Sequence, residues 1–300
     1  MTASKDNIDD PKLSEKIQPR TVQTLRGVVE YAEVGSGPAV VTLHGAMGGY
    51  DQSLMLAQAI GAKGYRYIAV TRPGYLGTPI SSGRTPSEQA DLLAALLDVL
   101  AIDRAGVMAV SGGGPIALEF GLKYPDRCCG LVLASTCAGK TEMKIPAGFK
   151  MMTALARQKW FGSMMLRKMS KDVVAVAKRS ISHPDILNRT INDSTIWPLF
   201  STMLLSTYRR MEQRIDGTMN DIEITRTQTY PLEDLHRPVL VIHGTDDPLL
   251  DFEAQTNAYK TRLPNVEIIP VEKGEHVAIF THRDEILPRV AEFMQANFTG

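Results

Sequence analysis

The chain has 300 residues, 44% of them hydrophobic, which is enough for one large core with a sizeable insertion. Lys+Arg and Asp+Glu are equal at 33 each, so the formal net charge is zero, and no basic patch stands out to suggest nucleic acid as a partner. Cys128, Cys129 and Cys137 lack the spacing of a metal site or a disulfide framework, and the vicinal pair reads as small buried residues beside an apolar run. The opening MTASKDNIDDPKLSEKIQPR is polar and has no apolar core of a secretory signal. No run of 18 or more apolar residues could span a bilayer. A cytoplasmic protein with a loose arm over residues 1–20 is therefore expected, with neither membrane nor nucleic acid as partner.

After that arm, short strand-like and longer helical segments alternate. Arg26–Val34 reads as a strand ending at the turn Gly35-Ser36-Gly37-Pro38. Ala39–Leu43 is an all-apolar short run, the mark of a strand buried on both faces of a parallel sheet. Gln52–Ala62 has helical spacing, and Tyr65–Val70 is again a strand. Thr85-Pro86-Ser87-Glu88 is a capping box with proline at the first helical position, opening a helix through Leu100. Ala105–Val110 and Leu131–Ala134 are two more buried strands, flanking a helix over Pro115–Tyr124. Val239–Ile242 and Val266–Val271 are strands separated by a helix over Phe252–Leu263, and Asp284–Phe298 carries one apolar stripe suited to a final helix.

Such alternation implies a mostly parallel, doubly wound α/β sheet covered by helices. It is interrupted once: from Lys140 to about His236 there are several helical stretches and no strand-like apolar run, so residues 140–236 are expected to form an insertion between core segments 21–139 and 237–300. Nine of the fourteen methionines lie between Met143 and Met219. As flexible gap-fillers they suit ordinary helical packing, and they would equally suit a cap lining an adaptable apolar pocket.

The chemistry starts at Ala109-Val110-Ser111-Gly112-Gly113, between the strand Ala105–Val110 and a glycine-rich helix start. A strand turning directly into a helix around one residue needs small neighbours two positions away on either side, or side chains collide across the turn. The central residue is then held in a strained conformation that presents its hydroxyl at the carboxyl end of a parallel strand, beside the positive end of a helix. A serine so placed needs a base, and the base needs a third group to fix its tautomer. Of the six histidines, His276 follows the last strand through the loop Glu272–Glu275 and would emerge at the same sheet edge. His282 is the weaker candidate, His183 and His236 are expected to be solvent-exposed, and His44 is expected to be structural. Asp246 and Asp247, just past the strand Val239–Ile242, both qualify as the acid, one of them being a turn or capping residue instead. Two backbone amides are needed for an oxyanion: Gly112 at the helix start, and one from the glycine-rich loop Leu43–Gly49.

Serine, carboxylate and histidine in that chain order, each after a strand, resemble the α/β-hydrolase-fold family over about Val22 to Asn297. The resemblance rests on the LHGxxGG loop at Leu43–Gly49, the elbow Ala109–Gly113, the Gly244-Thr245-Asp246-Asp247 turn and the Gly-x-His loop at Gly274–His276. It implies Ser111 as nucleophile, Asp247 as acid, His276 as base and the amides of Gly112 and Ala46 as oxyanion donors, with no cofactor and no metal. It also implies that 140–236 is a helical cap. Two positions depart from the family pattern: Ala109 stands where glycine is commoner, and Thr71-Arg72-Pro73-Gly74-Tyr75-Leu76-Gly77-Thr78 begins with Thr where the family has aspartate. A serine nucleophile argues against branches that form an ester to an enzyme carboxylate. The expectation is a serine hydrolase acting on a small apolar acyl substrate, an ester, thioester or lactone. Carbon–carbon bond hydrolysis or lyase chemistry on the same fold is one alternative, and a slow-turnover small-ligand binding protein is another.

Overall fold

The computed structural model describes residues 8, 10, 13–142 and 148–298. One sheet of eight strands forms the centre: β1 (Arg20–Thr24), β2 (Gly27–Gly35), β3 (Ala39–Leu43), β4 (Arg66–Val70), β5 (Ala105–Val110), β6 (Cys128–Ala134), β7 (Val239–Gly244) and β8 (Val266–Val271). Their spatial order is β1-β2-β4-β3-β5-β6-β7-β8. The β1/β2 and β2/β4 pairs are antiparallel and the remaining five are parallel. The helices are α1 (Leu13–Lys16), α2 (Tyr50–Ile60), α3 (Pro86–Val99), α4 (Gly114–Lys123), α5 (Phe149–Ala156), α6 (Lys159–Met169), α7 (Val173–Ala177), α8 (Pro184–Asn192), α9 (Ile196–Ser206), α10 (Ile215–Thr227), α11 (Phe252–Arg262), α12 (Ala278–Thr281) and α13 (Arg283–Asn297). Thr85 caps α3 as expected, its hydroxyl accepting from the Glu88 amide while the Glu88 carboxylate accepts from the Thr85 amide.

The all-apolar strands alternate between two cores. Val40 of β3 and Met108 of β5 pack with α2 and α13 on one face of the sheet. Val41, Leu43, Val107 and Ala109 pack with α3 and α4 on the other. Each such aliphatic side chain contributes about 1.5–3 kcal/mol when fully buried, so both faces resist exposure. Along the chain β3 leads to β4 on one side, and β5 then returns to the other side of β3, with Leu43 opposite Ala109. The loops leaving β3 and β5 therefore lie side by side, at the point where a doubly wound sheet opens a crevice.

Three expectations need correction. The arm is not loose throughout, because Leu13 and Ile17 are buried against the core that α2 builds. Arg20–Thr24 is a strand: RTVQT is an edge strand with a mostly exposed polar pattern, so no buried run announces it. The strand expected over Arg26–Val34 is accordingly the second, and it spans Gly27–Gly35 after a turn. Between β6 and β7 the described residues are helical, α5 to α10, and contain no strand.

Candidate active site

Ser111 leaves β5 with φ 49°, a left-handed conformation that is unfavourable for any residue with a Cβ. The strain is held by close approach on all sides. A Cβ on Gly113 would come within 2.7 Å of the Leu43 carbonyl oxygen, so a larger residue at that position would push the elbow off β3. Pro115 sits in the first turn of α4, where no amide donor is required.

His276 and Asp247 arrive at Ser111 from the loops after β8 and β7. The Ser111 hydroxyl lies 3.0 Å from His276 Nε2, and His276 Nδ1 lies 2.8 Å from Asp247 Oδ2. With Nδ1–H donating to the carboxylate, Nε2 is left to accept the serine proton. Asp247 is anchored through its other oxygen, which accepts from the Leu249 and Leu250 amides at 2.9 and 3.1 Å. Burial alone would raise its pKa, but the bonds and charge from His276 and these amides outweigh burial and hold the carboxyl below the ordinary aspartate value. Asp246 is not part of this chain. It is exposed and pairs with His183 Nε2 at 2.8 Å, so His183 is half-buried and engaged, contrary to the expectation of a solvent-exposed residue. Beside it, both Glu275 carboxylate oxygens accept from the Ser182 amide. Two adjacent residues of the insertion thus tie down the loops that carry Asp247 and His276.

The loop after β3 is organised by His44, which is fully buried. Its Nδ1 lies 2.7 Å from the Gly45 carbonyl oxygen, and its Nε2 accepts from the Arg72 amide at 3.0 Å. Burial and then the Arg72 charge push the His44 pKa well below the usual histidine range, so the ring is neutral with the proton on Nδ1. This fixes a direction. In a planar trans peptide the N–H points opposite to the C=O, so anchoring the Gly45 carbonyl on His44 turns the Ala46 N–H away from the imidazole. Gly45 and Ala46 both line the cavity that holds Ser111, and the Gly112 N–H lies in the first turn after the elbow, where helices lack internal acceptors.

Residues that sequence reading passed over complete the arrangement. Arg72, 1% exposed, donates to the Gly112 carbonyl at 2.9 Å and to both oxygens of Asp221 on α10 at 2.8 and 2.6 Å. Tyr75 donates to the same carboxylate at 2.5 Å. Burial opposes the Arg72 charge, but Asp221 and Tyr75 more than compensate and the guanidinium stays protonated. A second buried pair, Arg214–Asp51 at 2.6 Å, also donates to the Met47 carbonyl. Gly74 and Gly217 touch where α10 crosses the 71–78 loop: a Cβ on Gly74 would meet Gly217 Cα at 2.7 Å, and φ there is +85°. The aspartate missing at Thr71 has a counterpart, since the Thr71 hydroxyl donates to the Glu30 carboxylate of β2 at 2.7 Å.

Ser111 and His276 open into a cavity of about 270 Å³ whose wall is chiefly Leu56, Val110, Met203, Leu249, Val277, Ile279 and Phe280, with Gln52 and Thr207 as polar members. Of the methionines in the insertion only Met203 lines it; Met169 and Met211 are packed in cores, and Met143 lies outside the described residues. A larger open groove of about 960 Å³ runs between α11 and β8 and contains none of the residues above. No cluster of His, Cys, Asp and Glu among the described residues could hold a metal ion. No described helix is long and apolar enough to cross a membrane.

The α/β-hydrolase-fold family model matches residues 38–283, from β3 to the first residue of α13. The chain belongs to this family. Among solved structures, the α/β-hydrolase-fold protein from Nakamurella multipartita is 30% identical with a TM-score of 0.79, over 93% of this chain and 99% of its own. Among curated relatives, the 2-hydroxy-6-oxononadienedioate/2-hydroxy-6-oxononatrienedioate hydrolase of Burkholderia vietnamiensis is 26% identical over 276 residues, 89% of this chain and 91% of its own. The poly(3-hydroxyalkanoate) depolymerase of Ectopseudomonas oleovorans is 25% identical over 236 residues, 76% of this chain and 74% of its own. This α/β-hydrolase-fold protein thus has hydrolases of differing substrate among its relatives.

Proposed function

We propose that this α/β-hydrolase-fold protein is a serine hydrolase that cleaves a small ester, thioester or lactone through an acyl-enzyme on Ser111. The observation that carries the reading is the unbroken chain Ser111 Oγ–His276 Nε2–Asp247 Oδ2 at the head of an apolar cavity. His276 takes the hydroxyl proton as Ser111 attacks the carbonyl carbon. The Ala46 and Gly112 amides stabilise the oxyanion, each such donor typically contributing about 10²–10³ in turnover. His276 then protonates the leaving group, and the same base activates the water that releases the acid. The helical insertion acts as the cap that shapes the acyl site.

Carbon–carbon bond hydrolysis is the second reading, favoured by the relative whose substrate is a 2-hydroxy-6-oxo dioate. A dicarboxylate calls for cations in the site. None of the described lining residues is Lys or Arg, and Arg72 and Arg214, which donate to the Gly112 and Met47 carbonyls, are committed to Asp221 and Asp51. A neutral acyl substrate fits that wall better. The test is a panel of activated esters, thioesters, lactones and a 2-hydroxy-6-oxo dienedioate, run on wild type and on Ser111→Ala, with fluorophosphonate labelling of both. Ester or lactone turnover that vanishes with Ser111→Ala, together with labelling of the wild type alone, is expected. Turnover of the dienedioate alone, or ester turnover that survives the substitution, refutes the proposal.

A further inference from the structure

Helices α5 and α6 form a hairpin with two different faces. Inward, Ala156 and Phe161 bury themselves with Met211 and Ile215, and Met47, the residue after Ala46, packs against the same cluster. Outward stand Met151 (65% exposed), Met152 (49%), Trp160 (59%) and Met164 (46%). Four of the seven large hydrophobic residues exposed among the described residues are therefore gathered on this hairpin, where scattered single ones would need no explanation.

Charge singles out the same hairpin. Residues 148–171 contain six basic residues and no acidic one, in a chain whose charges balance overall. Arg157 pairs with Asp216, whereas Lys150, Lys159, Arg167, Lys168 and Lys171 have no acidic partner among the described residues. Trp160, Met164, Arg167 and Lys168 follow one another at helical spacing, so apolar and cationic groups share one side of α6, and Lys171 is exposed just past its end. Sequence reading missed this patch because the cations are spread over two helices among methionines, and only the hairpin assembles them.

We propose that the α5–α6 hairpin is a docking surface for an anionic lipid surface, on which the protein lies without spanning it. Exposed Trp and Met side chains enter the headgroup boundary while unpaired Lys and Arg meet the phosphates and carboxylates around them. Uncompensated cations beside exposed apolar side chains are complementary to such a surface, whereas a second copy of the hairpin would bring like charges together. The expectation of no membrane partner came from the lack of a spanning run, which lying on a surface does not require.

The test is co-sedimentation of the full chain with vesicles of phosphatidylcholine alone or mixed with phosphatidylserine, at low and high salt. No turnover is needed, so this outcome is separate from that of the hydrolase reading. Binding to the phosphatidylserine vesicles at low salt, reversed by high salt, is expected. Arg167→Gln/Lys168→Gln/Lys171→Gln should weaken it about a hundred-fold, at roughly five-fold per cation. Trp160→Ser/Met164→Ser should weaken binding to both vesicle types, and unchanged thermal melting shows that the variants fold. Absence of vesicle binding at low salt, or binding that neither set of substitutions changes, overturns the proposal. So does a dimer in solution that Met164→Ser dissociates, or capture by an acidic peptide with no vesicle binding.

Discussion

Replacing His44 with Ala tests how the proposed oxyanion site is aimed. The ring holds the Gly45 carbonyl at 2.7 Å and accepts from the Arg72 amide at 3.0 Å, in a fully buried position. Without it two buried backbone groups lose their partners, at about 1–3 kcal/mol each. A destabilisation of roughly 2–6 kcal/mol should therefore appear in urea unfolding. The Gly45–Ala46 peptide is then free to rotate, and loss of one oxyanion donor should lower kcat by about 10²–10³ with little change in KM. His44→Asn keeps a donor for the Gly45 carbonyl but offers the Arg72 amide no ring acceptor. It should recover most of the turnover while remaining less stable than wild type. Unchanged kcat in a folded His44→Ala protein would refute the reasoning, because the peptide orientation would then not depend on the imidazole.

The other predictions concern the same neighbourhood. Asp247→Asn should leave the fold intact and lower kcat by about 10⁴, since His276 then loses the group that sets its tautomer; steady-state kinetics and thermal melting check both halves. Asp221→Leu should destabilise the protein by about 3–5 kcal/mol in urea unfolding by stranding the buried Arg72 charge, and adding Arg72→Met should restore part of the loss. Buried neutral His44 takes up a proton only on unfolding, so its folded pKa lies below its unfolded one. Stability should thus fall as pH drops below about 6.5, with His44 accounting for about 1 kcal/mol between pH 7.0 and 5.5. His243 and His282 are shifted in the same direction, chiefly by burial, and add to that slope. The depressed Asp247 acts in a more acidic window, its contribution being lost only as pH falls through its own lowered value. Urea unfolding of wild type and His44→Asn across this range measures the His44 share.

Much of this was legible from the chain because parallel sheets write themselves plainly. Ala39–Leu43 and Ala105–Val110 are apolar throughout because both faces are covered, and each is followed by the small residues that its loop geometry demands. Ser111 and Asp247 could be placed since each follows such a strand, and His276 since it follows the loop after the last strand, although β8 is only partly buried. Arg20–Thr24 was invisible because an edge strand with polar exposed side chains has no periodic signal of burial. Arg72 and Asp221 are 149 positions apart, and neither carries a local pattern separating a buried ion pair from two surface charges. The available hint was the departure at Thr71-Arg72-Pro73-Gly74, a cation directly after a buried strand. Likewise, nothing near His183 or Ser182 indicates that they meet Asp246 and Glu275, since those contacts exist only once the insertion folds back over the sheet edge.

The attachment of α10 bears on how such proteins diversify. Through Asp221, Thr218 and Gly217, and through Arg214 at its N-cap, this helix reaches the elbow, Met47, Gly74 and Asp51, so it belongs to the floor of the site although it is encoded among the helices of the insertion. Chimeras that exchange specificity should be cut near Ser206, replacing the stretch before it and keeping the native segment from Arg209 onward. A junction placed at the end of β6 and the start of β7, the obvious seam by topology, would discard α10 and strand its buried partners Arg72 and Asp51, and would also remove Met203 and Thr207 from the cavity wall.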